Sequence, residues 1–114
     1  MHRACIESLF SHLYSNMIKR IVRLSFRKEE IDNFKQIFLN SKLKIKAREG
    51  CHHLELWQDT DAPNVFFTYS YWDDQAALDA YRHSELFGTV WAKTKKLFDD
   101  KPQAWSVKVL DIVP

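Results

Sequence analysis

The chain has 114 residues, 46% of them apolar and 28% charged, and its 17 basic and 15 acidic residues leave a formal net charge of +2. That length suits one domain rather than two, and the apolar share can fill one core, which argues against disorder. The near-balanced charge gives no strong pull toward nucleic acid or acidic lipid.

No apolar run approaches the ~20 residues that span a bilayer, so no membrane partner is expected. The two cysteines, Cys5 and Cys51, stand in no metal-ligand spacing and read as reduced thiols of a cytoplasmic protein. Residues 1–16 form a loosely amphipathic tail ending in Tyr14-Ser15-Asn16. Glu7 interrupts its one apolar patch, so it does not read as a signal peptide. The tail is expected to be poorly ordered or dispensable, with the folded domain covering residues 17–114. Four Trp, four Tyr and eight Phe are many for this length, so some are expected to line a cavity or an interface.

Ile18 to Phe26 alternates Val22, Leu24 and Phe26 against Arg23 and Ser25, which predicts a strand. From Lys28 the period changes: Ile31, Phe34 and Phe38 share a helical stripe running to about Lys46, before Gly50. Cys51 to Gln58 is a second strand, with His52, Leu54 and Leu56 on one face and His53, Glu55 and Trp57 on the other. The cluster Asp59-Thr60-Asp61-Ala62-Pro63-Asn64 is a turn, so the next strand returns antiparallel. That strand is Val65 to Trp72, with Phe66, Thr68, Ser70 and Trp72 on one face and Val65, Phe67, Tyr69 and Tyr71 on the other. Asp73 is the expected N-cap of a helix through Ala77, Leu78 and Tyr81. Ser84 restarts a helix with the stripe Phe87, Val90, Trp91, Thr94, Leu97 and Phe98, stopped by Pro102. Trp105, Val107 and Val109 then alternate with Ser106, Lys108 and Leu110 as a last strand.

This order predicts an α+β, ferredoxin-like βαββαβ sandwich: a four-stranded antiparallel sheet with helices on one face. Helices cover only one face of such a sheet, yet the third strand is aromatic on both. Rings left in water forgo burial worth about 25 cal/mol per Å² of apolar area. A homodimer joined through the sheet face, by Trp57, Phe67, Tyr69 and Tyr71, is therefore expected, the two sheets forming a shared barrel. At the other end of the third strand, Trp72 leads directly into a helix that carries Tyr81 and His83 back toward it.

A strand ending in Trp72, followed by Asp73-Asp74, Ala77-Leu78, Tyr81, Ser84 and Phe87 on this element order, resembles the antibiotic biosynthesis monooxygenase domain family. The resemblance covers about residues 17–110 and implies a dimeric α/β-barrel protein and a cofactor-independent monooxygenase of quinols or polyketides. The haem-degrading branch of the superfamily resembles Ser84-Glu85-Leu86-Phe87 closely. Its proximal histidine, however, would fall at Trp91, its catalytic tryptophan at Tyr81 and its first-strand asparagine near Val22, so no axial ligand for haem iron is supplied. The monooxygenase branch commonly has a histidine where this chain has Tyr81, and His83 lies about 200° around the helix from that position.

The resemblance implies oxygenation of a small electron-rich aromatic with no metal or flavin, the substrate acting as reductant. Such chemistry needs a water-excluding pocket, donors for a phenolate oxygen and a route for a proton. Tyr81, His52 and Trp72 are the catalytic candidates; Thr68, Ser70, His83, Trp91 and Trp105 are the candidates for substrate binding. Each has a plain alternative. Trp72 is a wall or N–H donor, or a core plug; Tyr81 is a donor, or a boundary tyrosine; His52 is a base or donor, or a structural histidine. His83 reads as lying near the solvent side of its helix, and Trp91 and Trp105 also suit the core.

His52 and His53 point to opposite faces of a strand, so they do not chelate one metal. Gly50 and Gly88 stand alone, so no Gly-rich phosphate loop forms. The RRM shares this strand order and stacks bases on sheet aromatics, but its glycine-containing signature is missing here. Two further readings stay open: a catalytically silent small-molecule-binding or dimerisation module, and an isomerase on a related barrel.

Overall fold

The computed structural model describes residues 16–114; the expected tail and Cys5 fall almost wholly outside them. The elements are β1 (Ile18–Ser25), a 3₁₀ turn (Lys28–Glu30), α1 (Ile31–Lys46), β2 (Cys51–Gln58) and β3 (Val65–Trp72). They continue with α2 (Gln75–Arg82), α3 (Glu85–Lys95) and β4 (Gln103–Val107). All strands pair antiparallel in the order β2-β3-β1-β4, which is the expected ferredoxin-like sheet.

Local chemistry sets the element ends. Gly50 takes φ +82°, a conformation glycine adopts without steric cost, and lets the chain leave α1 and enter β2. A Cβ at this position would stand 2.6 Å from the Ala77 Cβ, so the glycine also lets α2 approach. The cap of α2 is Asp74 rather than the expected Asp73: its carboxylate accepts from the Ala77 N–H at 2.9 Å. Asp73 instead contacts the His52 ring. Ser84 caps α3 as expected, accepting from the Phe87 N–H at 3.2 Å.

Two other ends differ from the sequence pattern. α3 stops at Lys95 rather than running on toward Pro102, because Leu97 and Phe98 leave the helix to pack beside Phe26. β4 ends at Val107, where its pairing with Lys19 of β1 ends.

The core lies between the sheet and the helices, in two clusters. One is Leu24, Phe26, Phe34 and Phe66, with Phe26 stacked on Phe34 and Phe98. The other is Cys51, Trp72 and Leu78, with Ile18, Ala77 and Tyr81 packed against it. Cys51 is a free thiol. Among the described residues no helix is long and apolar enough to cross a membrane.

Candidate functional site

The gap between the two clusters follows from the register. Along the inner face of β3, Phe66 and Trp72 are large, while Thr68 and Ser70 between them are small. Their cross-strand partners extend the same row: Thr68 pairs Val22, which pairs Ala104, and Ser70 pairs Arg20, which pairs Ser106. Large side chains thus fill both ends of the inner sheet surface and leave its middle low. Above that floor stand the helices, and the space between is a cavity of about 320 Å³. Interiors otherwise pack to near crystal density, so a hollow of this size is the candidate site of the fold.

Five of the eight candidate residues line it: Thr68, Ser70, Trp72, Tyr81 and Trp91. Trp72 is only 1% exposed and stacks on Tyr81 at 5.0 Å with the rings 19° apart. Its indole N–H is already committed, donating to Ser70 Oγ at 3.0 Å. Ser70 accepts that bond, which leaves its own hydroxyl proton for another acceptor. Trp72 is therefore at once the core plug and an apolar wall, not a free donor. Tyr81 continues the aromatic stack to Phe87, and Phe87 to Trp91. Burial, and less strongly Cys51, pushes the Tyr81 phenol up to about 12 against the opposing charge of Arg48, so it remains a neutral hydroxyl near neutral pH.

The other three lie away from the cavity. His52 was expected on the Leu54/Leu56 face, but a bulge between Cys51 and His53 lets Cys51 take the inward place. His52 is turned out to solvent, against Asp73. His83 is the exposed C-cap of α2, its ring Nδ1 2.8 Å from the Asp79 carbonyl oxygen of its own helix. Trp105 pairs with Ile21 on the opposite face of the sheet and is 45% exposed.

The two charged lining residues were missed: Arg20 on β1 and Arg82 at the end of α2. Arg20 carried a signal, since it falls in phase with the inward Val22 and Leu24, where an apolar residue is the rule. Arg82 carried none, since a charged residue at a helix C-terminus is ordinary. Among the described residues neither histidine nor carboxylate lines the cavity. Among the described residues no group of three or more His, Cys, Asp or Glu gathers in a metal-binding arrangement.

The opposite sheet face carries the aromatic set expected at an interface, and no helix among the described residues covers it. Trp57 stacks on Tyr69 at 4.6 Å, and Tyr69 donates to the Tyr71 hydroxyl at 2.5 Å. Polar groups are laced through it: the His53 ring and the Trp57 N–H both meet Glu55, at 2.6 and 3.1 Å, and the Lys19 ammonium sits 4.6 Å from the Tyr71 ring centre. Hydrogen bonding to Lys19, then to Tyr69, lowers the Tyr71 phenol below its ordinary value.

Comparison with known proteins bears on this architecture. A sequence model described as antibiotic biosynthesis monooxygenase matches residues 17–93. Among solved structures, a conserved protein from Methanosarcina mazei Go1 superposes with a TM-score of 0.79 at 16% identity, over 87% of this chain and 96% of that one. A protein described as antibiotic biosynthesis monooxygenase gives 0.76 at 23% identity, over 85% and 99%. A protein from Mycobacterium tuberculosis gives 0.78 at 17%, over 86% and 99%. At these identities the structures speak for the fold alone. No curated protein matches the chain in a sequence comparison.

Proposed function

The chain belongs to the antibiotic biosynthesis monooxygenase family, and from that premise we propose that its cavity binds a small electron-rich aromatic and supports oxygenation of that ring by O₂. The observation that carries the reading is the aromatic-walled hollow of about 320 Å³ between sheet and helices, bounded by Trp72, Tyr81 and Trp91. Flat rings stack on such walls, and the volume suits one ring system with a few substituents.

The chemistry balances without an added reductant. A hydroquinone and O₂ give a hydroxyquinone and water: one oxygen atom joins a ring carbon, the other leaves as water, and the ring supplies all four electrons. The step begins when the phenol loses its proton, because the phenolate passes an electron to O₂ far more readily. With no histidine or carboxylate among the described residues lining the cavity, solvent at the mouth receives that proton, and the positive field of Arg20 and Arg82 favours the phenolate left behind. Tyr81, neutral, and Ser70 serve as hydroxyl donors to it. Thr68 and Trp91 shape the floor and far wall.

The functional unit in this reading is a homodimer joined through the outer sheet face, by Trp57, Phe67, Tyr69 and Tyr71. The free Cys51 thiol accords with a reducing, cytoplasmic setting.

Oxygen-electrode measurements on metal-free protein with simple hydroquinones test the proposal. Uptake above the spontaneous rate is expected, with hydroxyquinone as product. Thr68→Leu, which fills the floor of the cavity, is expected to keep the melting temperature and lose at least about tenfold in uptake. Uptake no faster than the spontaneous rate sinks the oxygenase and favours a binding module on the same fold. Unchanged uptake in Thr68→Leu moves the site elsewhere.

A further inference from the structure

The inner face of β1 reads Ile18, Arg20, Val22, Leu24, so one guanidinium stands in an otherwise apolar row. Arg20 is partly buried, and its Nη1 donates to Ser106 Oγ at 2.9 Å. That is its one side-chain bond among the described residues, and a guanidinium carries five N–H donors. Arg82 reaches the same cavity from the end of α2. Two like charges therefore share one hollow, and among the described residues neither forms an ion pair with a carboxylate. Asp79 is the acidic group that acts on Arg20, but its carboxylate accepts from the Gln75 side chain at 2.9 Å. Burial, then the charge of Arg82, lowers the Arg20 guanidinium below its ordinary value, with Asp79 opposing.

We infer that the ligand of this cavity bears a carboxylate beside its electron-rich ring, held by Arg20 and Arg82: a hydroxylated aromatic acid rather than a neutral hydroquinone. The inference rests on the reading of the cavity as an aromatic-binding site and names the substrate class of that site. A hydroquinone is neutral near pH 7 and cannot offset two cations, whereas a carboxylate is ionised throughout that range. Its two oxygens match the planar fork of a guanidinium, which a phenolate's single oxygen does not. The apolar walls then take the ring while the charged corner sets its direction, so that one edge of the ring faces the arginines in every binding event.

Calorimetric titration of the full chain with 2,5-dihydroxybenzoate and, separately, with hydroquinone tests this, using wild type, Arg20→Gln and Arg82→Gln. The acid is expected to bind wild type roughly tenfold or more tighter than hydroquinone, and each substitution to remove most of that advantage by weakening the acid more than hydroquinone. Arg20→Lys, which keeps the charge and removes the fork, is expected to fall between. Because Arg82 is exposed, Arg82→Gln keeps the fold and serves as the test should Arg20→Gln unfold. Equal binding of acid and hydroquinone overturns the carboxylate while leaving the aromatic site standing. Failure of both to bind overturns the aromatic site, and the carboxylate with it. Arginine-dependent binding of the acid without oxygen uptake supports the carboxylate and overturns the oxygenase.

Discussion

Tyr81 shows how burial gives a residue its chemical character. Its phenol sits against Trp72 and Phe87, and losing the proton there would strand a charge in an apolar setting. The folded value of about 12 stands above the ordinary 10, so folding favours the protonated form. The resulting stability is fully present below pH 10 and is lost as pH rises toward 12. Denaturant titrations of wild type and Tyr81→Phe across that range are expected to differ in slope, wild type losing on the order of 2 kcal/mol more. Parallel curves would mean that the hydroxyl reaches water. His52 teaches the opposite lesson: alternation put it inside, and a single bulge put it out.

At the scale of elements, short helices and their caps hold the cavity roof. α2 and α3 meet at Ser84, which both caps α3 and donates back to the Tyr81 carbonyl at 2.5 Å. One serine thus sets the angle at which Tyr81 and Phe87 arrive over the sheet. Two adjacent aspartates compete for the cap of α2, and the structure assigns it to Asp74. Asp74→Ala is expected to cost about 1 kcal/mol of stability. Asp73→Ala, which removes an exposed contact with His52, should cost no more than about 0.5 kcal/mol. Thermal or denaturant melts of the two variants decide between them; the reverse order would return the cap to Asp73.

On the scale of the whole molecule, the helices of the described residues cover one sheet face and not the other. Trp57 and Trp105 remain 38% and 45% exposed, and Val107, two residues along β4 from Trp105, is 44% exposed. Such a surface on a lone chain invites association. Light scattering at micromolar concentration is expected to give twice the mass of one chain, and Phe67→Asp, at the centre of β3 on that face, to shift it to one. A monomeric wild type would remove the dimer while leaving the cavity, which lies on the other side of the sheet.

The sequence by itself determined the element order, the two faces of β1 and β3, the Ser84 cap and the aromatic corner at Trp72 and Tyr81, because these rest on periodicity and on neighbours within a few residues. The big-small-small-big run Phe66, Thr68, Ser70, Trp72 was also there to be read, and with it the floor of the hollow. Only the tertiary structure decided that His52 leaves the inner face, that Trp105 joins the outer one, and that Arg20 and Arg82 line one cavity. Each depends on pairing between segments far apart in the chain, where one bulge or one shift of register moves a side chain to the other face. Local pattern carries no record of that choice; the packing of helices on the sheet makes it.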